Sequence, residues 1–68
     1  MKPALGNNLT KFESAWSSID EAIGLLELAY VGADTNLFNK IEEIIEILEG
    51  TRLSIDVNLI DPTKERLE

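Results

Sequence analysis

Residues 9–30 read LTKFESAWSSIDEAIGLLELAY, the longest uninterrupted segment of the chain and the one that holds its only Trp and its only Tyr. The apolar residues of this segment recur at alternating spacings of three and four, at Leu9, Phe12, Trp16, Ile19, Ile23, Leu26 and Tyr30. This spacing is typical of an amphipathic helix that packs one face against other helices. We therefore expect a first helix over residues 8–31, against which the rest of the chain is arranged.

The start of this helix is predicted from its capping signals. Residues 1–7 show no periodicity and contain breakers such as Pro3, which indicates a flexible arm. Thr10 precedes Glu13 at the spacing of a capping box, in which two otherwise unpaired backbone N–H groups receive side-chain partners. Asn8 or Thr10 is therefore the expected N-cap.

A short connection follows the first helix. Gly32 can adopt the left-handed conformation that commonly ends helices, and Asp34 and Thr35 are residue types that cap a new one. Because short connections join antiparallel neighbours, the next helix should fold back along the first.

The second helix has its apolar stripe at Phe38, Ile41, Ile45 and Leu48, and beyond Gly50 the sequence allows two interpretations. Apolar and polar residues alternate from Leu53 to Leu59, which is typical of a half-buried strand. A strand over 51–60 would need a partner strand, which only a second copy of the chain could provide. The helical stripe can equally be continued to Leu59.

Length favours the helix. At 1.5 Å per residue, a helix over 8–31 is about 36 Å long, whereas a second helix that stops at Glu49 is only about 21 Å long. A helix continued to Ile60, kinked or broken at Gly50, is about 37 Å long and would cover the whole first helix. We therefore expect a second helix over 35–60, and a tail over 61–68 because Pro62 disfavours helix in the residue before it.

The size of the chain suggests that it self-associates. A single domain of 68 residues buries only about 60% of its unfolded surface, and without Cys or His it has neither disulfides nor the usual zinc ligands to compensate. Oligomerisation is the remaining common solution. Four large apolar residues fall outside the helix–helix seam: Leu25, Leu28, Ile44 and Ile47. We therefore predict an all-α antiparallel helical hairpin that pairs as a homodimeric four-helix bundle.

The net charge of −7 argues against nucleic acids and anionic membranes as partners, because both repel an acidic protein. The concentrated acidic feature is a cluster of four glutamates: Glu42, Glu43, Glu46 and Glu49. This cluster is a candidate docking face for a basic protein surface, although a solvated helix face is the simpler interpretation. We expect no metal there, since carboxylate metal sites in bundles also use His.

No catalytic motif is recognisable, because no nucleophile has a His to activate it and no Gly-rich loop could hold a phosphate. We expect no cofactor. The resulting hypothesis is a small cytoplasmic, non-enzymatic protein–protein interaction module of the adaptor, inhibitor or chaperone-like kind. The alternative is a small enzyme or ligand carrier whose site forms between protomers, which a well-formed apolar pocket at the dimer interface would favour.

Overall fold

The computed structural model describes residues 5–67, which form a helical hairpin. The first arm is α1, Leu5–Leu28, and the second arm begins with α2, Thr35–Ile55. A π-helical segment, Asp56–Ile60, and a short helix α3, Asp61–Leu67, extend the second arm without a break. No strand occurs among the described residues. The predicted all-α helical hairpin is therefore confirmed.

The first helix begins at Leu5, earlier than the predicted start at residue 8, and ends at Leu28, before the predicted end at residue 31. The Thr10 hydroxyl donates a hydrogen bond to the Gly6 carbonyl at 3.0 Å, which is the back-bonding of a Thr inside a helix. Asn8 and Thr10 both lie inside the helix, so neither predicted residue is the N-cap, and the predicted capping box with Glu13 does not form. Of the predicted flexible arm, residues 5–7 are helical and residues 1–4 lie outside the described part of the chain.

The connection between the arms has the predicted chemistry. Gly32 has a φ of 81°, a left-handed conformation that glycine adopts without steric cost. Asp34 caps α2, since its carboxylate accepts a hydrogen bond from the Leu37 N–H at 2.8 Å. The ring centroids of Tyr30 and Phe38 lie 4.4 Å apart, so the two aromatic rings pack against each other across the connection. These contacts hold the two arms antiparallel.

The segment 51–60 is helical, so the helix was the correct interpretation and the strand does not form. Gly50 lies inside α2, and the helical irregularity predicted at Gly50 instead occurs downstream, at the π-helical segment. A Cβ added at Gly50 would meet no atom within 4 Å. Gly50 is therefore an ordinary exposed helical position.

Pro62 explains the π-helical segment and corrects the predicted end of the second helix. In a regular α-helix the proline ring would clash with the carbonyl four residues earlier. Here the helix widens just before Pro62, and the Asp61 N–H donates to the Asp56 carbonyl, five residues back. The helix continues to Leu67, so the predicted tail over 61–68 is helical throughout its described part.

The core is a narrow seam between the two arms. Its buried side chains are Ile23, Ile45, Ile60 and Thr63, of which Ile60 lies at the end of the π-helical segment and Thr63 in α3. The Cα trace measures 54 × 15 × 15 Å and has a radius of gyration of 15.6 Å. A compact domain of this length has a radius of gyration of about 11 Å. The hairpin is therefore a rod with little interior.

Candidate interaction surfaces

Each arm has two flanks beside the seam, and helix geometry assigns every residue to one of them. Successive residues are rotated by about 100°, so the residue after a seam position lies on one flank and the residue before it on the other. Because α1 and α2 are right-handed and antiparallel, corresponding flanks lie on the same side of the hairpin. The rod therefore has two broad faces of different composition.

We define the acidic flank as the exposed carboxylates that directly follow the seam residues of α1 and α2: Glu13, Asp20, Glu27, Glu42, Glu46 and Glu49. Three of the four predicted docking residues belong to it. Glu43 does not, because it lies on the back of α2, two positions before buried Ile45. The three α1 carboxylates were missed by the sequence reasoning. Applying the same register to the first helix would have found them, since each follows a seam residue there.

Four of these carboxylates affect the ionisation of Tyr30. Partial desolvation of the Tyr30 hydroxyl, together with the negative charges of Glu42, Glu27, Glu49 and Glu46, raises its pKa above the ordinary value of 10.0. The carboxylates come from both arms, and all act on one hydroxyl near the connection. Both arms therefore contribute negative charge near the connection.

A second polar feature lies near the middle of the seam. Arg52 occupies a seam position, forms an ion pair with Asp20 on the opposite arm, and places its guanidinium carbon 5.5 Å from the centroid of the Trp16 ring. The side chain of Arg52 is 27% exposed, so the pair is only partly shielded from water. The cation–π contact and the ion pair fix the register of the two arms at this level.

The opposite face is apolar. We define the apolar flank as eight residues that directly precede seam residues: Ala15, Ala22, Leu25, Ala29, Leu37, Ile44, Ile47 and Thr51. Leu25 and Ile47 are 62% and 66% exposed. The other residues at this register include Lys11 and Lys40 but no carboxylate. Four large exposed aliphatic residues thus lie away from the acidic flank, whereas Leu53, which follows seam residue Arg52 and is 62% exposed, lies on the acidic side.

An open groove of about 470 Å³ runs along the back of α2 beside the apolar flank, between Ile47 and Leu59. Its polar side chains are paired locally: the Thr51 hydroxyl donates to the Ile47 carbonyl at 2.9 Å, and the Asn58 amide donates to the Ser54 hydroxyl at 2.9 Å. Each of these side chains thus makes one hydrogen bond within its own helical arm. The groove therefore presents mainly carbon to its surroundings.

Within residues 5–67, no group of three acidic side chains is arranged to hold a metal ion. None of the helices described is long and apolar enough to cross a membrane.

No protein-family model, curated protein or solved structure matches this chain. The two flanks are thus the features of the described hairpin from which a function can be argued.

Proposed function

We propose that this chain is a non-enzymatic protein–protein interaction module that self-associates as a homodimeric four-helix bundle and docks a basic partner through its acidic flank. The observation that carries the proposal is the imbalance between buried and exposed apolar residues. Only three hydrophobic side chains of the described hairpin are buried, whereas eleven large ones are exposed. Surfaces of this kind normally mark interaction sites.

The exposed area supports the same proposal. The hairpin exposes 5112 Å², whereas a folded monomer of 7.6 kDa exposes about 4,300 Å². The excess of roughly 800 Å² is close to the area that each partner buries in a typical stable complex. Self-association would therefore bring the exposed surface to the value expected of a folded protein.

The acidic flank supports the second part of the proposal. Six carboxylates from both arms form one face of a chain with a net charge of −7. Such a field attracts basic protein surfaces and accelerates their association. A cytoplasmic location belongs to the same proposal, because a small domain without Cys suits a reducing compartment, where disulfides are rare.

A pair of matched double variants tests the docking role. Glu42→Gln with Glu46→Gln removes two charges from the acidic flank, whereas Glu21→Gln with Glu43→Gln removes two charges from the backs of the helices. Each variant and the unmodified chain are immobilised, exposed to extract of the source cells, and washed with salt from about 50 to 500 mM, which shortens the Debye length severalfold.

The proposal predicts a protein that the unmodified chain and the Glu21/Glu43 variant retain at low salt and release as salt rises. The Glu42/Glu46 variant should not retain it. Equal retention by both double variants, or retention that is indifferent to salt, would remove the acidic flank from the docking role.

A further inference from the structure

We propose that the apolar flank is covered by a second copy of the chain whose connection lies at the same end of the bundle, so that α1 of each copy packs against α2 of the other. The inference rests on the proposed self-association. It adds the surface that is used and the orientation of the two copies.

Charge selects the apolar flank. Two copies each carry a net charge of −7, and an interface formed by their acidic flanks would bring six carboxylates from each copy together. Like charges placed opposite each other in an interface are strongly unfavourable. The apolar flank has no carboxylate at its register, and burying it leaves the two acidic flanks on opposite outer faces. Each dimer would therefore offer two identical docking surfaces.

The size of this face suits a second copy. A face of 54 by 15 Å has a projected area of about 810 Å², and a stable interface buries about 800 Å² on each partner. A second hairpin of the same length covers such a face from end to end. A short peptide or a single helical turn would leave much of it exposed.

The distribution of side chains along the flank selects the orientation. Near the connection the flank's register carries Lys40 and four large aliphatic residues: Leu25, Leu37, Ile44 and Ile47. Toward the open end the same register carries one large aliphatic residue, Leu59, among small or polar residues: Lys11, Ala15, Ser18, Thr51 and Ser54. With both connections at one end, aliphatic surface meets aliphatic surface and the polar halves meet each other. In the opposite orientation, the aliphatic half of each copy would lie against the polar half of the other and bury less apolar area.

Symmetry then fixes which helices meet. The two-fold axis of a same-end dimer runs parallel to the long axis of the hairpin, and rotation about it places α1 of one copy over α2 of the other. These helices run antiparallel, as do the two arms within each copy. All neighbouring helices of the bundle are thus antiparallel, which is the usual arrangement of four-helix bundles.

Spin labels test both the surface and the orientation, and the absence of Cys allows one label per chain at a chosen position. Val31→Cys places the label at the connection, where the native side chain is 86% exposed. Ser17→Cys places it on the acidic side at the level of the Trp16–Arg52 contact, near the middle of the rod. Pulsed electron paramagnetic resonance measures the distance between the two labels of a dimer.

Since each hairpin is 15 Å deep, we expect the Val31 labels to lie below about 30 Å and the Ser17 labels at about 30 Å, on opposite outer faces. A Val31 distance near the rod length of 54 Å would overturn the orientation while leaving the dimer intact. Ser17 labels in direct contact would show that the acidic flanks form the interface and would overturn the choice of surface. The absence of a defined distance at both positions would overturn this inference and the proposed self-association together.

Discussion

Replacing Gly50 with Ala should stabilise the protein. Gly50 lies inside α2, its φ is not positive, and a Cβ added there meets no atom within 4 Å. The substitution therefore changes only backbone propensity, and in a helix interior Ala is favoured over Gly by about 1 kcal/mol. For a domain of this size, that gain corresponds to a rise in melting temperature of about 4–8 °C.

Two other glycines serve as matched controls for the same substitution. Gly24 is also helical and also has open space around the added Cβ, so Gly24→Ala should stabilise by a similar amount. Gly32 has an equally open site but a φ of 81°, and a side chain there costs about 1–2 kcal/mol. Gly32→Ala should therefore destabilise.

Thermal and urea unfolding followed by far-ultraviolet circular dichroism measure the three variants. All samples must have one protein concentration, because the stability of a self-associating protein depends on concentration. If Gly50→Ala destabilises the protein as Gly32→Ala does, Gly50 has a left-handed backbone, α2 stops there, and the strand interpretation of 51–60 returns.

Three further substitutions or titrations test the seam and the acidic flank. Arg52→Lys keeps the charge but loses the planar contact with the Trp16 ring, so it should lower the unfolding free energy by about 0.5–1 kcal/mol. An unchanged unfolding free energy would mean that this partly exposed contact contributes nothing. The phenolate absorbance of Tyr30 should titrate above pH 10.0 and shift back toward it in Glu42→Gln, and a midpoint at 10.0 in the unmodified chain would contradict the clustering of carboxylates. Because the folded pKa is raised, the contribution of Tyr30 to stability is complete below pH 10 and is lost as the pH rises through the folded pKa. Ile45→Ala should cost about 2–5 kcal/mol in urea unfolding, since Ile45 is only 6% exposed, and a cost below about 1 kcal/mol would show that the seam is not packed.

The helical hairpin was predictable because its evidence is periodic. Six apolar residues of α1, and Tyr30 just after it, keep one register, so an exception at one position would not have hidden the pattern. The choice of helix over strand for 51–60 required a further argument, because the apolar residues around Ile55 fit the alternation of a strand as well as the stripe of a helix. Matching the lengths of the two arms resolved it, because a helix ending at Glu49 would have left half of α1 without a partner.

The details near Pro62 were not predictable in the same way. Proline usually ends a helix, and the local sequence contains no signal that a wide turn will absorb it. Tertiary packing favours the continued helix, because that helix buries Ile60 and Thr63 against α1, at 5% and 8% exposure. The early start at Leu5 is similar, since weak helix formers such as Gly6 and Asn7 gave no local reason to extend α1.

The acidic flank was half predicted. The glutamates of the second helix are dense in sequence and therefore visible, whereas Glu13, Asp20 and Glu27 are spaced seven apart and become a cluster only when the arms are folded together. The local sequence of one helix does not reveal a surface that two helices build jointly. The relation between each carboxylate and the preceding seam residue is the signal that joins them.

The most direct test of self-association through the apolar flank is sedimentation velocity at micromolar concentrations on three chains: the unmodified protein, Ile47→Glu and Leu28→Glu. Each substitution introduces one carboxylate at an exposed position of a helix, and the native side chains are similarly exposed, 66% at Ile47 and 71% at Leu28. Only Ile47 lies on the apolar flank. The unmodified chain and Leu28→Glu should sediment with twice the mass of the 7.6 kDa chain, and Ile47→Glu should sediment with the single-chain mass. An unmodified protein of 7.6 kDa at every concentration, or an Ile47→Glu dimer as stable as the unmodified one, would contradict the account.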